Sequence, residues 1–259
     1  MDPTGIARIA LVTDFGAGIY VGQMRARLSA LVPHVPVIDL AQDLPPFRRD
    51  LGAYLLPALV RDMPRGTLYL CVVDPGVGGE RAGLLVESDG DWLLGPDNGL
   101  LSRVAHRGRE VQAYRIGWQP KDLSASFHGR DWFAPAAARL CLGEHLGLTA
   151  LDRRALVGAD WSDDLPAVVY VDRYGNLMCG LLAGTLPGGA QTRIRAAGHV
   201  LRRARTFCDV PPGEPFWYEN ALGLVEIAVN QGRADRLLGL APGDSIAWMP
   251  QGDAEMAHV

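Results

Sequence analysis

The sequence predicts a two-domain α/β protein, with an N-terminal layered α/β domain built on a largely parallel sheet and a smaller, β-barrel-like C-terminal domain. The first observation is that short apolar runs alternate with helical patterns through about residue 150. This alternation is typical of a sheet covered by helices on both faces. The second is that only short strand-like runs follow residue 166, with glycine-bearing turns between them.

The elements of the first domain follow from the spacing of its apolar residues. Where such residues run together, strands are expected at residues 9–12, 35–40, 68–73, 84–86 and 92–94. Where they recur at helical spacing, helices are expected at residues 20–32, 48–63, 99–105 and 132–142. Pro135 falls in the first turn of the last helix, where its missing N–H costs little.

The domain boundary is placed in the charged segment 152–166, which ends in Asp-Asp-Leu-Pro. Residues 1–158 are assigned to the N-terminal α/β domain, which we expect to be catalytic, and residues 165–259 to an all-β domain. The strand-like runs expected in the second domain are 167–171, 177–182, 192–196, 224–229 and 245–248.

Composition excludes several classes of protein. The net charge is −4, from 25 basic and 29 acidic residues, so no field draws in nucleic acid or an anionic membrane. The four cysteines include no Cys-x-x-Cys pair, which argues against a zinc knuckle or a redox dithiol. No run approaches the ~18 apolar residues of a membrane span, and the first apolar run is too short for a secretion signal. We therefore expect a cytoplasmic protein whose partners are small molecules.

Polar residues just after strands are the first candidates for a site, because ligands of open α/β sheets bind beyond the carboxyl ends of the strands. Asp14, in Thr-Asp-Phe-Gly, follows the first strand and can either hold a ribose diol or cap the helix that starts near residue 20. Asp74 follows the third strand in a loop with three glycines in four residues. Such a loop can be a plain turn. Alternatively, its glycines can let a ligand approach the backbone closely, and the Arg81 side chain can fold back across the loop to pair with Asp74.

Three further motifs are open to both structural and functional interpretations. Gly-Pro-Asp-Asn-Gly at 95–99 is interpreted as an architectural turn into a helix. His128, in Ser-Phe-His-Gly-Arg-Asp, is either a structural or a catalytic imidazole before a helix. Asp172 and Asn176 share one turn, and the Asn176 amide can also pair with an adenine edge. The kinase metal motif, the dinucleotide fingerprint, the P-loop and the Gly-x-Ser-x-Gly elbow are ruled out by context or absence.

Taken together, these five motifs resemble, in order and across nearly the whole chain, the S-adenosylmethionine hydroxide adenosyltransferase family, which is related to fluorinases and chlorinases. The resemblance implies hydrolysis of S-adenosylmethionine to adenosine and methionine, by attack of activated water or hydroxide on C5′ of the ribose. S-adenosylmethionine is then the substrate, and no cofactor or metal is required. It also implies a homotrimer, with the ligand between the first domain of one subunit and the second domain of its neighbour.

The resemblance also assigns residues. Asp74, Arg81 and His128 match the family's catalytic set. From the residues themselves we expect a charge-assisted pair with Arg81 to keep Asp74 ionised and His128 to be neutral, with either Asp74 or His128 as the base. Asp14 matches the residue that binds the ribose. The other substrate-binding residues that it implies are Phe47, Phe127, Asp172, Asn176, Glu226 and Val229.

Two alternatives to the hydrolase remain. One is a halide-using synthase that makes a 5′-halogenated nucleoside. Against it, Asp74 and His128 stand where the fluorinase has tyrosines, and Gly129 replaces its halide-binding serine, although chlorinases also carry glycine there. The other alternative is a module that binds S-adenosylmethionine or adenosine without turnover.

Overall fold

A seven-stranded sheet forms the centre of the first part of the chain in this computed structural model, which describes residues 5–249 apart from the side chain of Ala190. Its strands are β1 (Arg8–Thr13), β2 (Val37–Ala41), β3 (Thr67–Val72), β4 (Gly83–Ser88), β5 (Asp91–Pro96), β6 (Val111–Ile116) and β7 (Thr149–Leu151). The strand order is β2-β1-β3-β5-β4-β6-β7, and β4 and β7 run opposite to the other five. The predicted largely parallel sheet is confirmed.

Helices pack on both faces of this sheet. They are α1 (Ile19–Leu31), α2 (Arg49–Arg61), α3 (Ser102–Arg107) and α4 (Ala134–Cys141). Helices α1 and α4 form one core cluster with alternate residues of β1 and β3, such as Leu11 and Leu70. Tyr69 points to the other face, where its hydroxyl donates to the Val60 carbonyl of α2 at 3.4 Å. This alternation explains why β3 is buried along its whole length.

Strand β5 lies very close to β3 near the edge at which the polar motifs lie. A Cβ atom built on Gly95 would stand 2.2 Å from the carbonyl oxygen of Cys71, so only glycine fits at this point of β5. Because β1, β3 and β5 pair in parallel, their carboxyl ends lie at one edge of the sheet, where ligands of α/β sheets bind.

Two features of the first part differ from expectation. Strands β6 and β7 were not predicted, because β6 alternates buried with exposed residues such as Gln112 and Arg115 and has no continuous apolar run. The expected helix at 132–142 begins instead as a π-helical turn, Gly129–Phe133, which leads directly into α4. Pro135 lies in the first turn of α4, as expected.

The chain divides into two compact units between Trp161 and Ser162, within the charged segment 152–166. The second unit contains β8 (Leu165–Val171), β9 (Leu177–Leu182), β10 (Arg193–Ala196), β11 (His199–Arg202), β12 (Pro215–Glu219), β13 (Leu224–Val229), α5 (Ala234–Leu238) and β14 (Ala247–Met249). Strands β11 and β12 and helix α5 were not predicted from the sequence.

The second unit is an antiparallel, barrel-like structure. Its strands form a three-stranded sheet, β11-β10-β14, and a four-stranded sheet, β12-β13-β9-β8. One isolated bridge, Ala167 with Ser245, joins β8 to the chain just before β14, and another, Arg203 with Trp217, joins the end of β11 to β12. These bridges link both edges of the two sheets, so the predicted β-barrel-like architecture is confirmed. Trp217 is fully buried inside it.

The helices throughout residues 5–249 are too short or too polar to cross a bilayer. Within the same residues, no group of three histidine, cysteine or acidic side chains is arranged to hold a metal ion.

Candidate active site

An ion pair lies at the carboxyl end of β3. The Arg81 Nε atom donates to Asp74 Oδ1 at 3.0 Å and to Oδ2 at 2.9 Å, and Arg81 Nη2 makes a further short contact with Oδ2. Only 5% of the Asp74 side chain and 11% of the Arg81 side chain are exposed. The return of Arg81 to Asp74 that the glycine-rich loop predicted is present, and burial strengthens the Coulomb attraction within the pair while making the loss of either partner costly.

The loop that carries this pair packs against the segment that carries His128. Gly78 has a φ angle of 83°, and a Cβ atom there would stand 2.5 Å from the Ala125 carbonyl oxygen. A side chain at this position would push the two segments apart. The glycine therefore lets the loop meet the chain three residues before His128.

His128 contacts Arg81 directly. The Arg81 Nη2 atom lies 2.7 Å from Nδ1 of His128. Because guanidinium has donors and no acceptor, Nδ1 accepts this hydrogen bond, and the neutral imidazole must carry its proton on Nε2. Burial, followed by the nearby Arg81 charge, lowers the pKa of His128 below its usual value. His128 is therefore neutral near pH 7.

The π-helical turn after His128 provides the surroundings of Arg81. Trp132 and Phe133 belong to this turn, and the Arg81 Cζ atom lies 5.4 and 5.3 Å from the centres of their rings. Among the described residues, no hydrogen-bond partner exists for the buried Nη1 atom of Arg81. An unsatisfied buried cationic donor is costly, and such groups commonly mark functional sites.

Asp74 and His128 line a cavity of about 390 Å³, a size suited to part of a small molecule. Phe15, Tyr20 and Phe127 form an aromatic wall, with ring centres 5.2 to 5.9 Å apart. Arg81 contacts two of the lining residues, Asp74 and His128. The cavity thus combines an apolar wall with a charged and a neutral polar group.

Asp14 and Phe47 are brought together, but as partners of each other. The Phe47 main-chain N–H donates to Asp14 Oδ2 at 2.9 Å, and Phe47 has a φ angle of 65° with an exposed side chain. The capping alternative for Asp14 is wrong, because α1 starts after Gly18 without a side-chain cap. Burial raises the pKa of Asp14, the hydrogen bond from the Phe47 N–H opposes this, and the charge of Asp74 raises the pKa further.

A second cavity, of about 630 Å³, lies in the second unit. All four sequence-predicted residues of that unit line it: Asp172, Asn176, Glu226 and Val229. Asn176 is buried, and its side-chain amide nitrogen donates to Asp172 Oδ2 at 3.0 Å, while its main-chain N–H donates to Oδ1 at 2.9 Å. The turn thus places Asp172 and Asn176 side by side.

Glu226 is held in a buried network. The Tyr218 hydroxyl donates to Glu226 Oε1 at 2.5 Å, and the Asn220 amide donates to Oε2 at 2.7 Å. Burial raises the pKa of Glu226, the two hydrogen bonds oppose this, and the Asp172 charge raises it further. The proximity of Asp172 and Glu226 gives this cavity an acidic side.

Sequence reasoning missed several lining residues. Tyr20 gave no signal other than a helix start, and Tyr218 and Phe207 lie in a segment where no element was predicted. Phe15 was visible only as part of the Thr-Asp-Phe-Gly motif. Their roles depend on contacts between distant segments, which local patterns do not report.

The fold and the first site define a small-molecule-binding α/β protein, with an Asp–Arg–His cluster at the carboxyl ends of parallel strands. Two family models match the chain: the SAM hydroxide adenosyltransferase N-terminal domain over residues 9–149 and the C-terminal domain over residues 166–247. The chain belongs to the SAM hydroxide adenosyltransferase family, as the sequence motifs indicated.

Individual relatives agree with this assignment. An (R)-S-adenosyl-L-methionine hydrolase of Salinispora arenicola is 37% identical over 92% of this chain and 96% of its own length. A fluorinase of an Actinoplanes species is more distant, at 24% identity over 89% of this chain and 93% of its own. The crystal structure of an uncharacterized conserved protein from Thermotoga maritima superposes with a TM-score of 0.82 at 29% identity. It covers 93% of this chain and 99% of that one.

Proposed function

We propose that this chain hydrolyses S-adenosylmethionine to adenosine and methionine, by attack of a water molecule on C5′ of the ribose. The observation that carries the proposal is the convergence of Asp74, Arg81 and His128 beside one aromatic-walled cavity. The hydrolase name of relatives with 37% identity over nearly the full length supports the choice of substrate.

The reaction needs no cofactor, because the substrate carries its own leaving group. A bond forms between the water oxygen and C5′, and the C5′–sulfur bond breaks with its electron pair passing to sulfur. Methionine leaves as a neutral thioether and needs no general acid. The water loses one proton, so the work of the protein is to position the water and receive that proton.

Free hydroxide is scarce in such a site. A unit positive charge 4 Å away stabilises hydroxide by about 4 kcal/mol at an effective dielectric constant of 20. The substrate sulfonium therefore lowers the pKa of water by about 3 units, and this pKa stays well above 7 because the Asp74 carboxylate offsets the charge of Arg81. Proton transfer therefore accompanies the attack instead of preceding it.

The geometry favours Asp74 as the proton acceptor. The acceptor nitrogen of His128, Nδ1, is occupied by Arg81, so the imidazole offers the proton on Nε2 as a donor. The Asp74 carboxylate has about four lone-pair sites, and Arg81 uses three of them at most. We assign proton transfer to Asp74, orientation of the water to His128 and stabilisation of negative charge to Arg81.

The remaining predicted residues are assigned to substrate binding. Asp14 and Phe47 are proposed to contact the ribose and the nucleoside. Phe127 is proposed to contact the substrate as part of the apolar wall of the first cavity. Asn176 offers an amide that matches the donor and acceptor of an adenine edge. We propose that the neighbouring Asp172 binds the methionine end of the substrate. Glu226 and Val229 complete the second cavity as adenine contacts.

The proposed assembly is a homotrimer whose active sites each combine the first unit of one subunit with the second unit of its neighbour. We expect Asp74→Asn and Asn176→Ala each to lower hydrolysis at low substrate concentration. Coexpressed in one preparation, they should recover part of the activity, because some sites receive both intact halves. Purified single-variant proteins mixed without subunit exchange are the control. A preparation of proven mixed trimers that recovers nothing would contradict the shared site.

The experiment that tests the function is mass spectrometry of the products formed in ¹⁸O-labelled water. We expect the label in adenosine and none in methionine, since attack at C5′ places the solvent oxygen on the nucleoside. Parallel reactions contain chloride or fluoride, and the (R) and (S) sulfonium epimers are compared. A 5′-halogenated nucleoside would instead identify a halogenase, and tight binding without methionine release over hours would identify a binding module.

The lowered pKa of His128 predicts the acid limb of the activity profile. Turnover should stay constant as the pH is lowered from neutral to about 6.5, the usual histidine pKa. It should fall only at lower pH, because the pKa of His128 is lowered. Protonation of Nδ1 would remove the acceptor for Arg81 and place two cations together. The measurement is kcat against pH for the wild type and His128→Gln, which should lose this limb, with exposed His34→Gln as the control. A midpoint above 6.5, or a limb that His128→Gln retains, would contradict the assignment.

A further inference from the structure

The turn that follows β5 lies beside both ends of the loop that carries the ion pair. In the sheet, β5 is placed between β3 and β4, although β4 comes before it in the chain. The loop from Asp74 to Arg81 runs from the end of β3 to the start of β4, and so it crosses the carboxyl end of β5. Residues 97–99 follow β5 at this point, where they can reach the main chain on both sides of the loop.

Two neighbouring residues of this turn hold the two ends of the loop. The side-chain amide of Asn98 donates to the carbonyl oxygen of Val73 at 2.9 Å, one residue before the acid of the ion pair. The main-chain N–H of Asp97 donates to the carbonyl oxygen of Ala82 at 3.0 Å, one residue after the arginine. The turn therefore fixes the spacing between the two ends.

The Asn98 side chain is itself held in place. Its Oδ1 atom accepts the main-chain N–H of Leu100 at 3.2 Å, and the Asn98 carbonyl oxygen accepts from Arg49 Nε at 2.7 Å. A donor and an acceptor on one short side chain are what an asparagine amide provides. Aspartate keeps the acceptors but, when ionised, has no donor for the Val73 carbonyl.

We propose that Asn98 is a positioning residue for the proposed hydrolysis, which fixes the Asp74–Arg81 pair relative to His128. The inference rests on the proposed function and assigns a role to a turn that the sequence indicated only as architecture. Asn98 acts through Val73, which precedes Asp74 directly. A displacement of about 1 Å at a reacting group can cost roughly 10²-fold in rate, so a fixed loop end has a direct effect on turnover.

The test is Asn98→Asp, with Asn98→Ala as a second variant. In the aspartate variant two acceptors face each other at Val73, so the loop end should move. We expect kcat to fall about 10- to 10²-fold with little change in KM. The deficit of Asn98→Asp should shrink as the pH is lowered from 8 to 5, because a protonated carboxyl group regains a donor. Asn98→Ala has no such group, so its deficit relative to the wild type should show no such recovery.

Thr185→Val is the matched control, since it also removes one side-chain hydrogen bond to a main-chain carbonyl, that of Leu182. A rise in KM alone, or an equal fall of kcat in Thr185→Val, would overturn the inference. Crystal structures of the wild type and Asn98→Asp give a readout independent of activity. Unchanged contacts of Arg81 with Asp74 and His128 would also overturn it. A wild type that releases no adenosine would refute the proposed function, and these structures would still decide the role of Asn98.

Discussion

Asp74→Asn is expected to lower the turnover of S-adenosylmethionine about 10²- to 10⁴-fold, the usual contribution of a positioned acid or base. The amide cannot take the proton of the attacking water, and it gives Arg81 no negative partner. Asparagine is nearly the same size as aspartate, so the cavity that Asp74 lines should persist in the variant. The measurement is steady-state release of adenosine, with substrate binding measured separately by calorimetry.

Asp39→Asn is the matched control. Asp39 forms an ion pair with Arg25 at 2.9 Å, but both side chains are well exposed, so the loss of this pair should have little effect. Equal losses of binding and turnover in Asp74→Asn would show that Asp74 is a substrate contact and not the proton acceptor. Turnover that stays near the wild-type value would refute its assignment altogether.

Arg81→Met should be the most destabilising of these substitutions. It removes the cation from a buried pair and leaves a carboxylate that is only 5% exposed, which costs roughly 3 to 5 kcal/mol of unfolding free energy. The methionine chain can still pack against Trp132 and Phe133, so the loss comes mainly from charge. Urea unfolding near pH 7 measures it.

The double variant Asp74→Asn/Arg81→Met separates stability from activity. It should regain much of the stability that Arg81→Met loses, because no unpaired charge remains buried. Turnover should remain as low as in Asp74→Asn alone, since both variants disable one unit of the mechanism. If stability stayed as low in the double variant as in Arg81→Met, an unpaired carboxylate would not be the cause.

Much of the site could be predicted because its parts are close in sequence or occur in ordered motifs. Asp74 and Arg81 are seven residues apart in a glycine-rich loop, which has room to bring opposite charges together. Asp172 and Asn176 are four residues apart in one turn, so their closeness could also be predicted from the sequence. The Asp14 capping alternative failed because α1 begins five residues later, with a glycine before it.

Contacts between distant segments could not be predicted in this way. The hydrogen bond from Arg81 to His128 spans 47 residues, and the one from Asn98 to Val73 spans 25. The second depends on the strand order, in which β5 enters between β3 and β4. Nothing in the apolar spacing of a strand reports its neighbours in the sheet.

The sequence by itself determined the two-unit α/β and β-barrel architecture, the family and the identity of the charged pair. These follow from local periodicity and from motifs whose residues lie near each other along the chain. The tertiary structure alone decided that His128 accepts a hydrogen bond through Nδ1, and that Asn98 holds the loop before Asp74. The physical reason is that hydrogen-bond direction and burial depend on which segments the folded sheet brings into contact.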